Sequence, residues 1–136
     1  MKLSILTATY NRGEYLKRIY DSINENLNSG IEPEWIIIDD GSIDNTKNVV
    51  KEIKKEAAFE IKYIWQENMG KMKAINNGIK FAEGELIIDC DSDDYFVQNS
   101  FKTIGENAEF MFSKDDIYAM CFLKKNTNRK NKWKYI

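Results

Sequence analysis

The 136-residue sequence has no histidine, one proline and two cysteines, and each scarcity excludes a class of protein. Without histidine, catalysis by histidine and metal sites with histidine ligands are excluded from these residues. A single proline leaves no room for a proline-rich linker, and the length suits one domain with one core. The cysteines, Cys90 and Cys121, lie inside apolar runs, so we interpret them as buried thiols in a reducing compartment rather than as a disulfide or a zinc site.

Long apolar runs and signal-like segments are also lacking. The longest uninterrupted apolar runs extend over a few residues, which is too short to cross a bilayer. The N-terminal segment leads directly into a strand-like pattern and does not have the shape of a secretory signal. We therefore expect a cytoplasmic protein.

Acidic residues are absent from the last part of the chain. Residues 124–136 contain six lysines and arginines and no acid, although the formal net charge of the whole chain is −2. We therefore divide the chain into a domain of residues 1–123 and a basic C-terminal tail of residues 124–136. The tail is either a solvated, frayed terminus or a peripheral contact with anionic lipid at the inner face of a membrane. No nucleic acid partner is predicted.

Apolar runs alternate with apolar residues at helical spacing along the first 123 residues. Strands are predicted at 2–8, 35–38, 59–65, 85–88 and 117–123, with Pro33 in a loop, and helices with apolar faces are predicted within 16–27, 49–57, 72–82 and 101–108. Ser42 is the expected N-cap of the second helix. Alternating strands and helices predict an α/β fold, with a mainly parallel open sheet and helices on both faces. Ligands of such sheets bind outside the carboxyl ends of the strands.

Four aspartates fall within residues 89–94, directly after the apolar run 86–88. Two unit charges about 4 Å apart repel by about 1 kcal/mol in water and by more near a protein surface, so we expect a cation here. Because residues two apart in an extended chain point the same way, Asp89, Asp91 and Asp93 are expected on one side and Asp94 on the other. Carboxylate ligands favour Mg²⁺ or Mn²⁺. The alternative is a solvated acidic turn that caps the next helix.

Polar segments follow three of the predicted strands. They are Thr9-Tyr10-Asn11 after the first, Asp39-Asp40 after the second, and the aspartates after the fourth. Right-handed crossovers place the carboxyl ends of parallel strands at one edge of the sheet. The sequence therefore predicts one site built from all three segments.

Four blocks of the sequence, in this order, resemble the family 2 glycosyltransferases of the GT-A fold. The first block is 4–11, ending in Thr-Tyr-Asn, and the second is 35–46, containing Asp-Asp-Gly-Ser-Ile-Asp-Asn-Thr. The third is 68–71, Asn-Met-Gly-Lys, with Ala74, Asn76, Gly78 and Gly84-Glu85, and the fourth is 91–94, Asp-Ser-Asp-Asp, which is similar to the family's DxD motif. The resemblance covers about residues 3 to 97 and implies a Rossmann-like GT-A nucleotide-diphospho-sugar transferase fold. Family members typically continue well beyond this length, so the resemblance implies a truncated chain that corresponds to the donor half.

The resemblance also implies roles for individual residues in binding a nucleotide sugar. Asp40 would accept a hydrogen bond from an N–H of the base, which is uracil by family habit, and Tyr10 would stack against that base. Lys71 would face the diphosphate or the sugar. Thr9 and Asn11 complete the implied binding set. The alternatives from the residues alone are a helix-capping acid for Asp40, core packing for Tyr10 and plain exposure for Lys71.

The implied metal ligands are Asp91, which would contact the ribose or the metal, and Asp93, with Asp94 as its competitor. The implied cofactor is Mg²⁺ or Mn²⁺, which would bridge the two phosphates and neutralise charge as the nucleotide leaves.

The implied activity is metal-dependent transfer of a sugar from a nucleotide diphosphate sugar, expected to be a UDP-sugar, to an acceptor hydroxyl with inversion. The acceptor would be a saccharide or a lipid-linked molecule in polysaccharide biosynthesis, and an oligomer stays an open alternative. No segment matches the family's catalytic-base motif, so the catalytic residue is left unassigned.

Three other functions are kept as alternatives. One is a non-catalytic nucleotide-sugar-binding fragment that lacks the acceptor half. A haloacid-dehalogenase-like phosphatase with Asp89 as nucleophile would leave residues 39–42 unexplained. A receiver-like signalling domain would have its acid pair after the first strand rather than after the second.

Overall fold

The computed structural model describes residues 1–117, 119, 120 and 122. Within these residues the chain alternates between strands and helices, with a short 3₁₀ helix at Leu27–Ser29. The elements are β1 (Lys2–Thr9), α1 (Gly13–Asn24), β2 (Glu32–Asp39), α2 (Thr46–Glu56), β3 (Glu60–Trp65), α3 (Lys71–Ile79), β4 (Leu86–Asp89) and α4 (Ser100–Phe112).

The four strands form one sheet in the order β3-β2-β1-β4, and every neighbouring pair is parallel. The chain first adds β2 and β3 on one side of β1 and then returns through α3 to place β4 on the other side. The strand order therefore reverses between β1 and β4. In open α/β sheets the carboxyl ends at such a reversal form the usual ligand crevice.

Apolar side chains of the sheet pack against helices on both faces. Ile5 and Ile37 belong to the larger core, which also contains the buried faces of α1, α2 and α4, whereas Leu6 and Ile38 pack with α3. This alternation follows from the two-residue period of a strand. The predicted α/β class, with a parallel sheet and helices on both faces, is confirmed.

Helix α3 packs closely against β2 at Gly78. A Cβ atom at this position would lie 2.4 Å from Cδ1 and 2.7 Å from Cγ1 of Ile38. Real Cβ atoms do not come so close to a neighbour, so glycine is what allows α3 to lie against the sheet at this distance.

The carboxylate of Glu34 is fully buried near the amino ends of the strands, at the edge opposite the carboxyl ends. It accepts hydrogen bonds from Ser4 Oγ at 2.5 Å, from the Glu83 N–H at 2.6 Å and from Lys62 Nζ at 2.9 Å. Burial alone would raise the pKa of Glu34, but these donors outweigh it and lower the pKa to about 2. Glu34 is therefore an ionised group that holds strand and loop backbone together.

The predicted strands and helices within residues 1–112 are confirmed, with ends that differ by a few residues. Pro33 is a correction, because it lies in β2 and not in a loop. Strand β3 pairs with β2 only from Glu34 onward, so Pro33 is paired with β1 alone. Proline lacks an N–H and is tolerated in a strand where one side has no neighbouring strand.

The predicted fifth strand at 117–123 is not observed in the residues of that run that the structure describes, which are 117, 119, 120 and 122. The rest of the run, Cys121 and the predicted tail 124–136 lie outside the described residues. Cys90 is buried, as predicted. None of the described helices has the length and apolar character needed to cross a membrane.

Candidate functional site

Four loops meet at the carboxyl ends of the strands, and polar contacts join each loop to the next. The loop after β1 contacts the loop after β2, which in turn contacts the loop between β3 and α3. The start of α3 contacts the acidic segment after β4. That segment contacts the loop after β1 and so closes the arrangement. We call this arrangement the contact ring. Its members are Asn11, Arg12, Asp40, Ser42, Ile43, Met69, Gly70, Lys71, Asp91, Ser92 and Asp93.

Asn11 joins the loop after β1 to the loop after β2. Its N–H donates to Ser42 Oγ at 2.9 Å, and its Oδ1 accepts from the N–H of Ile43 at 2.9 Å. Its φ of 50° lies in the left-handed region, which asparagine tolerates better than most residues. The side-chain oxygen of Asn11 is therefore used to hold the loop after β2.

The prediction that Ser42 caps α2 is wrong. Helix α2 begins at Thr46, and it is Asp44 whose Oδ1 accepts from the N–H of Thr46 at 3.0 Å. Asp44 Oδ2 also accepts from the N–H of Gly13, the first residue of α1, at 3.5 Å. The hydrogen bonds from Thr46, and the one from Gly13, lower the pKa of Asp44 against the effect of burial. One carboxylate thus fixes the starts of two helices beside the site.

Asp40 connects the loop after β2 to the start of α3. Its Oδ1 accepts from Gln66 Nε2 at 2.7 Å and from the N–H of Met69 at 2.8 Å, and its Oδ2 accepts from the N–H of Gly70 at 2.8 Å. Asp40 is buried, and burial alone would raise its pKa, but the three donors outweigh burial and the pKa of Asp40 is lowered. Asp40 is therefore held as an ionised carboxylate at the base of the site.

Gly41 brings the loops after β2 and β3 together. Its φ is +85°, and a Cβ atom on it would lie 2.9 Å from the backbone nitrogen of Asn68. Both facts require glycine, because the left-handed region disfavours other residues and the Asn68 backbone leaves no room.

Lys71 is the first residue of α3 and connects this helix to the acidic segment. Its Nζ lies 3.1 Å from Asp89 Oδ2 and also contacts Asp91 Oδ1. The hydrogen bond to Asp91, followed by that to Asp89, raises the pKa of Lys71. As expected from the two-residue period, Asp89 and Asp91 face the same cation.

Beyond Asp91 the chain leaves the extended conformation. The N–H of Asp94 donates to the carbonyl of Asp91 at 2.9 Å, which forms a turn. Asp93 therefore does not join Asp89 and Asp91 in contacting the Lys71 amine. Its Oδ2 lies 3.5 Å from Arg12 Nη1 instead. The expectation that Asp89, Asp91 and Asp93 lie on one side of an extended chain fails at Asp93, because the turn redirects it towards Arg12.

Arg12 is a site residue that the sequence analysis missed. Its guanidinium lies 3.5 Å from both Asp93 Oδ2 and Ser92 Oγ, and it directly follows the Tyr10-Asn11 pair. The sequence signal that could have identified Arg12 is its position as a basic residue directly after the predicted binding residues Tyr10 and Asn11.

Tyr10 and Thr9 stand in contrasting environments at the end of β1. The Tyr10 side chain is 48% exposed, which excludes core packing as its role. Thr9 is buried, and its hydroxyl has no hydrogen-bond partner among the residues that the structure describes. A buried polar atom without a partner is costly and calls for an explanation.

The acidic segment fits a divalent cation by its donor chemistry, because Mg²⁺ is usually held by one or two carboxylates together with substrate phosphates. The predicted ligands Asp91 and Asp93 are solvent-accessible and lie on neighbouring parts of the contact ring. Within the described residues, three acids converge only at Glu34, Glu60 and Glu83. That group lies at the opposite edge, where Lys2 and Lys62 neutralise it.

Comparison with known proteins gives a consistent result along the chain. Residues 4–136 match the model of the family described as glycosyl transferase family 2. The chain is 36% identical over 106 residues to the uncharacterized glycosyltransferase alr2836 of Nostoc sp., covering 78% of this chain and 32% of that protein. It is 32% identical over 130 residues to the MG060 homolog of Mycoplasma pneumoniae, also an uncharacterized glycosyltransferase, covering 91% and 43%. The chain therefore spans about a third to two fifths of the length of these curated relatives.

Solved structures confirm the GT-A architecture. The chain superposes on residues 1–349 of Staphylococcus aureus TarS in complex with UDP-GlcNAc with a TM-score of 0.72 at 28% identity, covering 82% of this chain and 32% of that chain. The mannosyltransferase PcManGT of Pyrobaculum calidifontis, in complex with GDP-Man and Mn²⁺, has the same fold, with a TM-score of 0.66 at 21% identity over 74% of this chain and 30% of that chain.

Proposed function

The chain belongs to glycosyl transferase family 2, and on this basis we propose that it binds a UDP-sugar together with Mg²⁺ or Mn²⁺ at the contact ring. The observation that carries the proposal is the ring together with Tyr10, which directly precedes Asn11. They place an exposed aromatic side chain, two basic side chains and an acidic segment at the β1/β4 edge. An aromatic face suits a flat base. Basic side chains suit a diphosphate, and carboxylates suit a hard divalent cation.

Tyr10, Asp40 and Thr9 would bind the nucleoside. An ionised carboxylate offers about four acceptor positions, and Asp40 uses three of them for Gln66, Met69 and Gly70. One acceptor position is therefore left for an N–H of the base. The buried hydroxyl of Thr9 would find a partner in the same ligand, which supports a polar group bound at the end of β1.

Asp91 and Asp93 would hold the divalent cation, and Lys71 would bind the diphosphate. When bound, such a cation supplies charge neutralisation of the leaving diphosphate. Lys71 is the first residue of α3, and its contacts with Asp91 and Asp89 raise its pKa, so it carries a positive charge that suits a phosphate oxygen. Arg12, between Ser92 and Asp93, would orient the acidic segment.

We further propose that the whole protein transfers the sugar to an acceptor hydroxyl with inversion and that this chain forms its donor half. Similarity to named glycosyltransferases supports sugar transfer, among them the TarS poly(ribitol-phosphate) beta-N-acetylglucosaminyltransferase of Staphylococcus aureus, at 29% identity over 75% of this chain. No described residue is assigned as the general base. A nucleotide-sugar-binding fragment without turnover is the second candidate, favoured by the fraction of the relatives' length that this chain spans. The cytoplasmic location stays a prediction.

Titration calorimetry and thermal unfolding with UDP, in the presence and absence of Mn²⁺, test the proposal. A ligand at about 100 times its Kd stabilises a protein by about 2.7 kcal/mol, so UDP with Mn²⁺ should raise the Tm by several degrees and UDP alone by less. ADP with Mn²⁺ is the control for the base. No heat and no rise of the Tm at millimolar UDP with Mn²⁺ would refute the site. Hydrolysis of UDP-GlcNAc measured beside its binding separates an enzyme from a binding fragment.

A further inference from the structure

Two amide side chains that stand behind the contact ring are tied to it by hydrogen bonds. Gln66 Nε2 donates to Asp40 Oδ1 at 2.7 Å, and Asn77 Nδ2 donates to Gln66 Oε1 at 2.7 Å. Gln66 is buried, and its backbone N–H donates to the carbonyl of Asp39 at 2.9 Å. Because Asn77 occupies the oxygen end of the Gln66 amide, the NH₂ end is the one that faces Asp40.

These bonds attach helix α3 to Asp40 at two separate points. The first is at its N-terminus, where the N–H of Gly70 donates to Asp40 Oδ2 at 2.8 Å. The second lies almost two turns further on, where Asn77 reaches Asp40 through Gln66. The close contact of Gly78 with Ile38 sets the distance of the helix from the sheet. Two attachments and one contact fix where α3 begins and how it is rotated about its axis.

The position of Lys71 depends on the same attachments, because Lys71 is the first residue of α3. Its Nζ contacts Asp89 and Asp91 on the other side of the site. A small rotation of α3 would move this amine relative to both carboxylates. The Asn77–Gln66–Asp40 chain of hydrogen bonds therefore helps to position both the carboxylate of Asp40 and the amine of Lys71.

We propose that Gln66 and Asn77 are positioning residues of the nucleotide site, which hold Asp40 and Lys71 in the geometry that binds UDP with its cation and do not touch the ligand themselves. This inference rests on the proposed function, in that it assumes UDP binding at the contact ring. Neither residue belongs to the sequence blocks that carry the family resemblance.

The first test compares Asn77→Ala with Asn76→Ala. The two asparagines are adjacent in α3, but Asn76 is exposed and lies outside this chain of hydrogen bonds. Asn77→Ala releases the Gln66 amide and with it one attachment of α3 to Asp40, so part of the binding free energy must be used to restore their positions. UDP binding in the presence of Mn²⁺ should therefore weaken about tenfold by calorimetry. Asn76→Ala should bind like the wild type. Equal affinities in the two variants, each with wild-type circular dichroism, would overturn the proposal.

The second test uses Gln66→Glu, which keeps the shape of the side chain and adds a charge opposite Asp40. Near neutral pH the two carboxylates repel each other, and this repulsion favours proton uptake by Glu at position 66 as the pH falls. The protonated group carries an O–H that can donate to Asp40 in place of the amide. UDP affinity relative to the wild type at the same pH should therefore be low near pH 8 and rise as the pH is lowered.

A purely structural role for Gln66 would lower the Tm of this variant and leave its relative UDP affinity independent of pH. That flat profile would overturn the proposal even if the variant is destabilised. Wild-type protein that binds no UDP with Mn²⁺ at any pH would refute the proposed function itself, so the two failures are distinguishable.

Discussion

Arg12 Nη1 lies 3.5 Å from Asp93 Oδ2, so the residue before α1 contacts the loop after β4. The two side chains are 51% and 58% exposed, and an ion pair this exposed contributes about 0.2–1 kcal/mol to stability. The main effect of this ion pair is therefore on position, because it holds Asp93, a proposed metal ligand, next to the loop that carries Tyr10.

Replacement of Asp93 by asparagine should remove the Mn²⁺-dependent part of UDP binding and leave the fold intact. Asp93 is exposed and stands among other aspartates, so the relief of repulsion offsets the loss of the weak ion pair with Arg12 and the Tm should change little. Calorimetry with UDP, with and without Mn²⁺, measures the effect. Asp116→Asn, at an exposed aspartate outside the contact ring, is the control. Undiminished Mn²⁺ dependence in Asp93→Asn would transfer the ligand role to Asp94.

Replacement of Lys71 by methionine should change the affinities for nucleotide and for metal in opposite directions. Without the amine, UDP loses a charge-assisted contact, and its affinity should fall by about tenfold. Mn²⁺ added alone should bind more tightly, because Lys71 no longer neutralises Asp89 and Asp91. Both effects are measured by calorimetry. Lys73→Met, on an exposed position of the same helix, should change neither affinity, and parallel changes in the Lys71 variant would contradict its assigned position.

The sequence predicts the sheet well because strand and helix periodicity is a local property. The ends of a strand depend on where the neighbouring strand begins and ends. That neighbour is distant in sequence, so a local pattern does not predict the ends. Pro33 illustrates this limit: it lies inside β2 because β3 does not yet flank it there. Helix capping has the same limit, since the sequence favours Ser42, whereas in the fold Asp44 accepts from the N–H groups of Thr46 and Gly13, the first residues of two different helices.

Residues of the site are predictable where a motif carries them and not where distant segments supply them. Asp40 and Lys71 are found from their blocks, and the structure brings both to one edge of the sheet. The contacts of Arg12 and Gln66 depend on side chains that come from other strands and are far away in sequence. Such contacts become visible only once the strand order is known.

Replacement of Gly78 by alanine should destabilise the protein and weaken UDP binding. The added Cβ would lie 2.4 Å from Ile38 Cδ1, and overpacking of this kind costs about 1–3 kcal/mol. Alanine regains about 1 kcal/mol of helix propensity, so the net loss measured by urea unfolding should be modest. The combination with Ile38→Val, which removes Cδ1, should recover part of it.

Gly105 in α4 is the matched control for Gly78. A Cβ atom there would lie 3.1 Å from the end of the Ile31 side chain, which can move aside. Gly105→Ala should therefore change the free energy of unfolding little and leave UDP affinity unchanged. Equal losses of stability and of affinity at the two positions would contradict a specific role for the α3–β2 contact.

The stabilising effect of Glu34 should disappear in acid. Burial alone would raise its pKa, but the hydrogen bonds from Ser4, Glu83 and Lys62 lower it from 4.5 to about 2 in the folded protein. Because the folded-state pKa lies below the unfolded value, the contribution is complete above about pH 4.5 and is lost as the pH falls towards 2. A difference of this size corresponds to about 3 kcal/mol at neutral pH.

Urea unfolding of the wild type and of Glu34→Gln between neutral pH and about pH 3 measures this contribution. At neutral pH the variant should be less stable by about 3 kcal/mol or more, because Lys62 loses its buried partner. The gap should narrow below about pH 4.5, because Glu34 of the unfolded wild type takes up its proton at a higher pH than Glu34 of the folded protein does. Glu32→Gln, at an exposed position of the same strand, should show no comparable gap. A gap of constant size from neutral to acid pH would show that Glu34 contributes through packing, since the loss of a charge interaction must follow its titration.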